Sequence, residues 1–163
     1  MTRPRGTPEP RALTTMGSRA YFVVGSIGDG RLWVSDGTPE GTLPVFADDA
    51  GSVEPTALTD VAARLFFAAI DPAIGRLALW TSGGTAAGTA PVTGITHDVY
   101  VSVTDTVAFG DRLVFVVRDP EGAAVWVSDG TDAGTRQLRP RFPPGVPGSE
   151  PGDLTAQVVP RDY

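Results

Sequence analysis

The chain contains no cysteine, so disulfide staples and thiolate chemistry are both excluded. Histidine occurs once, at position 97. A structural or catalytic zinc site draws on several Cys and His ligands, and one imidazole leaves such a site short. Basic residues are outnumbered, 13 against 19 acidic, for a net charge of −6 and a pI near 4.6. With no basic stripe to follow a phosphate backbone, nucleic acid is excluded as the expected partner. No apolar run reaches the roughly 18 residues of a membrane-spanning helix, so membrane insertion is not expected. The N-terminus also lacks the charged start, apolar core and small-residue cleavage site of an export signal. That lack favours the cytoplasm while leaving the compartment open.

What is present is a repeat. The phrase LWVSDGTPEGTLPV at 32–45 returns as LWTSGGTAAGTAPV at 79–92 and as VWVSDGTDAGTRQL at 125–138. All three tryptophans of the chain occupy its second position, and their spacings are 80 − 33 = 47 and 126 − 80 = 46 residues. Such a period belongs to solenoids and propellers. A second phrase marks unit boundaries, as EPRALT at 9–14, EPTALT at 54–59 and EPGDLT at 150–155. The units therefore span about 9–53, 54–98 and 99–149, with an extra opening strand within 150–159. Residues 1–8 form a polar, proline-bearing tail.

Each unit divides into four short strands. In the first these are Ala12 to Thr15, Arg19 to Val24, Leu32 to Val34 and Thr42 to Phe46, rich in aromatic and β-branched residues. The second repeats the order at 57–61, 64–69, 77–80 and 89–92. The third places its strands at 99–103, 112–117, 124–127 and 135–138, with a longer connection through Phe109-Gly110-Asp111. Asp-Gly in Ser35-Asp36-Gly37-Thr38 and Ser128-Asp129-Gly130-Thr131 accepts the positive φ that reverses a hairpin, and Gly83-Gly84 does so in the second copy.

With 41% hydrophobic residues and no helical periodicity, the expected fold is all-β. It is a β-propeller-like stack of three four-stranded units, with a β-sandwich as the alternative. The small pairs Ala68-Ala69 and Ala123-Ala124 allow close approach of sheets. Closed propellers use about four to eight blades, so three units point to completion by oligomerisation, to a larger parent protein of which this chain is a piece, or to a compact non-propeller packing. A homodimer forming a six-bladed ring is the favoured form, with the strand at 154–159 exchanged between chains or paired with the first unit.

These phrases resemble the ELWxxDGT repeat of large bacterial proteins, whose units read Pro-x-x-Leu-Thr, a Leu-Phe-Phe-like strand, then Glu-Leu-Trp-x-x-Asp-Gly-Thr-x-x-Gly-Thr. The resemblance covers residues 9–138 and touches 150–159. It implies propeller-like surface or secreted repeats and supplies no catalytic residue. Departures fall at Arg31, Ala78 and Ala124, where the family has glutamate, at Gly83 for the turn aspartate, and at Val125 for leucine.

Candidate chemistry is sparse. Asp36 and Asp129 offer one carboxylate per turn where a hard cation takes about six to eight oxygens, so they read as turn residues. Asp48-Asp49 reads as a solvated loop. His97 beside Asp98 has the composition of a base and its orienter, but neighbours on an extended chain point to opposite faces. Tyr21, Phe22, Phe66, Phe67 and Phe115 read as packing residues. Arg19, Arg64 and Arg112, each ahead of an aromatic strand, read as a repeated salt bridge or turn contact, or as one rim. No Gly-Thr loop has the setting of a phosphate cradle. No catalytic, metal or cofactor residue is expected. The expected function is a noncatalytic protein-interaction or assembly module. A carbohydrate-binding propeller and a hydrolase assembled between subunits around His97 and Asp98 are the alternatives.

Overall fold

Alternating apolar residues and two-residue turns produce three separate antiparallel sheets in the computed structural model, which describes residues 9–26, 28–46, 53–92, 95 and 102–138. Unit 1 holds β1 (Arg11–Met16), β2 (Arg19–Val24), β3 (Arg31–Ser35) and β4 (Leu43–Pro44). Unit 2 holds β5 (Val53–Val61), β6 (Arg64–Asp71), β7 (Arg76–Ser82) and β8 (Thr89–Val92). Unit 3 holds β9 (Ser102–Phe109), β10 (Arg112–Asp119), β11 (Gly122–Ser128) and β12 (Arg136–Gln137). Within every sheet the strands lie in chain order, as in a propeller blade. No helix among the described residues is long and apolar enough to cross a membrane.

The third opening strand departs from expectation. Its described part, Ser102–Phe109, shares 102–103 with the expected 99–103 and runs on past it, residues 99–101 lying outside the described ones, and Phe109 pairs with Arg112 across a two-residue turn. The connection there is as short as in units 1 and 2, where Met16 pairs with Arg19 and Val61 with Arg64. A shared irregularity fixes the alignment. Ala12, Ala57 and Asp105 all carry positive φ, at 55°, 54° and 46°, beside register shifts in the three opening strands. The tail at 1–8, the extra strand at 154–159, and Asp48, Asp49, His97 and Asp98 lie outside the described residues.

Each sheet has a forward face, toward the next unit, and a backward face. Residues paired across the middle strands share a face, so Phe22 with Trp33, Phe67 with Trp80 and Phe115 with Trp126 define the backward faces. The first core joins Met16, Tyr21, Leu32, Val34 and Val45 of unit 1 to Leu65, Phe67, Ala69, Ala78 and Trp80 of unit 2. The second joins Val61, Phe66, Leu79 and Val92 of unit 2 to Leu113, Phe115, Val117, Ala124 and Trp126 of unit 3. Unit 2 is thus covered on both sides, and β6 reads buried at five consecutive positions from Leu65 to Ala69. Burying each phenylalanine contributes about 1.5–3 kcal/mol. All four residues of the small pairs Ala68-Ala69 and Ala123-Ala124 are buried.

Polar ties reinforce the joints. Thr59 and Thr106 hydroxyls meet at 2.7 Å between β5 and β9. At the first joint Glu54 accepts from Arg11 at 2.7 Å and from the Gly28 and Gly30 amides at 2.8 and 3.2 Å, while Arg11 also donates to the Gly25 carbonyl. Burial pushes the Glu54 carboxyl up, but the two amides and Arg11 outweigh it and hold it below the ordinary value of 4.5. The tie therefore acts in full above that value and is lost as pH falls through the lower folded value. Urea unfolding should show wild type and Glu54→Gln well separated at pH 7 and converging at pH 3. Equal separation at both pH values would show that this carboxylate carries no pH dependence.

Candidate functional site

The repeated turn is held chiefly by hydroxyls. Ser35 meets Thr42 at 2.8 Å, Ser82 meets Thr89 at 2.6 Å and Ser128 meets Thr135 at 2.7 Å, each pair spanning seven residues. The same serines accept from the Gly37, Gly84 and Gly130 amides at 3.1, 3.0 and 3.0 Å. Thr38, Thr85 and Thr131 accept from the Gly41, Gly88 and Gly134 amides. The second and third hydroxyl pairs are buried, so each hydroxyl satisfies a group that would otherwise be stranded.

Asp36 and Asp129 add one more layer. Each accepts from the side chain of the threonine two residues on, Thr38 or Thr131, at 2.7 Å, and from its amide at 3.0 or 2.9 Å. Those bonds, the hydroxyl's foremost, hold both carboxyls below the usual range. Gly83 stands in for the aspartate in unit 2, and there a short 3-10 turn at Ala86–Gly88, capped by Thr85, completes the loop. The carboxylates thus serve the turn. Among the described residues no group of three His, Asp or Glu side chains is placed to hold a metal ion.

The joints make different surroundings for the same turn. At the first joint Tyr21 and Met16 of unit 1 reach the Gly84 turn, where a Cβ on Gly84 would overlap the Tyr21 hydroxyl. At the second, Arg64 of unit 2 lies over Gly130, its Nη1 2.6 Å from where a Cβ would stand, and donates to the Asp129 carbonyl at 3.4 Å. Beside it opens a cleft of about 290 Å³, floored by Val61 and Phe66 and rimmed by Arg64, Asp111, Asp129 and Thr131. At Gly37, the corresponding glycine of unit 1, nothing stands within 4 Å of a Cβ. The arginine of the middle unit is therefore a contact to the next unit's turn. Arg112 lies 3.7 Å from Asp111 within its own unit.

The structure separates residues that the sequence groups together. Tyr21 and Phe66 face forward, whereas Phe22, Phe67 and Phe115 face backward. Trp80 and Trp126 are buried, and Phe67 stacks on Trp80 with ring centres 6.2 Å apart. The Ser-Thr pairs escaped the reading of the turn, which followed the charged Asp-Gly. Their signal was present, since Ser and Thr recur in all three copies and Asp in two.

The arrangement defines an all-β protein of three stacked, propeller-like four-stranded units. Neither protein-family models nor curated proteins give a match to the chain.

Proposed function

We propose that this chain is a noncatalytic module that assembles with other protein surfaces through the end faces of its stack. The observation that carries the reading is a contrast between equivalent residues. Leu58, Phe67 and Trp80 pack in the first core, while their counterparts Leu13, Phe22 and Trp33 face backward from unit 1. Leu13 is 71% exposed, and Phe22 and Trp33 are half-buried. A contiguous apolar face of aromatic and leucine side chains is the usual mark of an interaction surface. The burial of Trp80 and Trp126 removes two of the three indoles that a sugar-stacking reading would need.

A photo-crosslinking amino acid placed at Phe22 should form protein adducts in the cell that makes the chain, while one at the exposed turn residue Ile74 should not. No adduct from position 22 would overturn the reading.

A further inference from the structure

We propose that the backward face of unit 1 receives the forward face of unit 3 from a second copy of this chain, closing two chains into a six-unit ring. This inference rests on the assembly reading above and names its partner. It follows from carrying the two internal joints one step further.

Two edge positions of the forward face show the same contrast as the backward one. Met16 and Val61 are 8% and 2% exposed in the two cores, whereas Phe109 at the same position of unit 3 is 72% exposed. Val45 and Val92 are buried, and their counterpart Leu138 is 46% exposed. Val45 and Leu138 are equivalent in backbone as well, donating to Leu32 and Val125 carbonyls at 2.9 and 2.8 Å. Phe109 and Leu138 therefore present forward the apolar side chains whose counterparts fill both internal joints, while Val116 and Val127 on the same face are buried like Val23 and Val34 of unit 1. Unit 1 presents backward the leucine, phenylalanine and tryptophan that receive them.

The rims agree. Arg64 covers the Gly130 turn of the unit after it; Arg112 holds the same position in unit 3, and the Gly37 turn of unit 1 has open space where that arginine would lie. Arg31 stands on the unit 1 face where Ala78 and Ala124 stand in the others. The contact is heterologous, so it either closes or grows without end. Closed propellers hold about four to eight units, and six is the one multiple of three in that range.

Light scattering on the 163-residue chain should give the mass of two copies. Leu13→Asp and Phe109→Asp alter exposed side chains, so each should keep the wild-type circular dichroism yet return the mass to one chain. The absence of cysteine permits a directional test with a short flexible bis-maleimide. Arg112→Cys mixed with Ser18→Cys, the counterparts of Arg64 and Asp111 on the internal cleft, should yield a crosslinked pair, and neither variant alone should. Arg64→Cys with Asp111→Cys in one chain serves as the internal control. Self-crosslinking of Arg112→Cys alone would indicate a like-with-like interface and overturn the proposal. A chain that stays single at high concentration while position 22 captures a different protein would overturn it too, leaving the assembly reading intact. A single chain with no adduct would remove both.

Discussion

Phe67→Ala should lower the unfolding free energy by about 3–5 kcal/mol, and Phe22→Ala, at the same place in the repeat, by about 1 kcal/mol or less. Phe67 is 1% exposed, stacks on Trp80 and is enclosed by Tyr21 and Leu32 of the preceding unit. Removing the ring leaves a cavity that two sheets cannot jointly collapse into. Phe22 has the same cross-strand tryptophan, Trp33, but lies in neither of the two cores. The comparison belongs in a Leu13→Asp background, so that a docked second copy does not bury Phe22. Urea unfolding followed by tryptophan fluorescence reads both values. Similar losses would mean that the aromatic strand is stabilised by its own sheet and not by the joint. For a domain whose total stability is of order 5–15 kcal/mol, the larger loss approaches global unfolding.

Gly134→Ala should lower the unfolding free energy by about 1–3 kcal/mol. A Cβ there would overlap the Asp129 carboxylate, which is held in place by its two bonds from Thr131. Gly41 and Asp36 stand in the same relation. In unit 2 the aspartate is Gly83, and the nearest atom to a Cβ on Gly88 is the Thr85 hydroxyl at 3.1 Å. Gly88→Ala should therefore cost under about 1 kcal/mol. The cause is separable by a double-mutant cycle: Asp129→Gly combined with Gly134→Ala copies the unit 2 arrangement and should recover most of the loss. Additive effects would place the strain in the backbone instead.

The repeat made the order of strands readable, because turn residues and tryptophans recur at nearly constant spacing. The bounds of β2, read from its aromatic and β-branched residues, and of β8, read from the repeated order of strands, both coincide with the expected ones. The opening strand of unit 3 runs to Phe109, past the expected end at Val103, because no Glu-Pro phrase marks its start and Thr104 to Phe109 read as connection. Direction was not readable at all. Tyr21 and Phe22 are adjacent and both aromatic, and only the stacking of sheets decides which of them meets the next unit. The turn showed the reverse problem, since charge drew attention to Asp36 and Asp129 while neutral hydroxyl pairs hold the loop in every copy.

The repeated turn fastens its own hairpin through Ser and Thr, while its glycine leaves room for a side chain arriving from the unit before. A segment duplicated in the gene therefore arrives carrying both halves of the joint, socket and plug, already matched. Copy number in such a chain can change by whole periods without any new surface having to evolve. A fault in the glycine, by contrast, is felt first by the neighbour whose side chain it displaces.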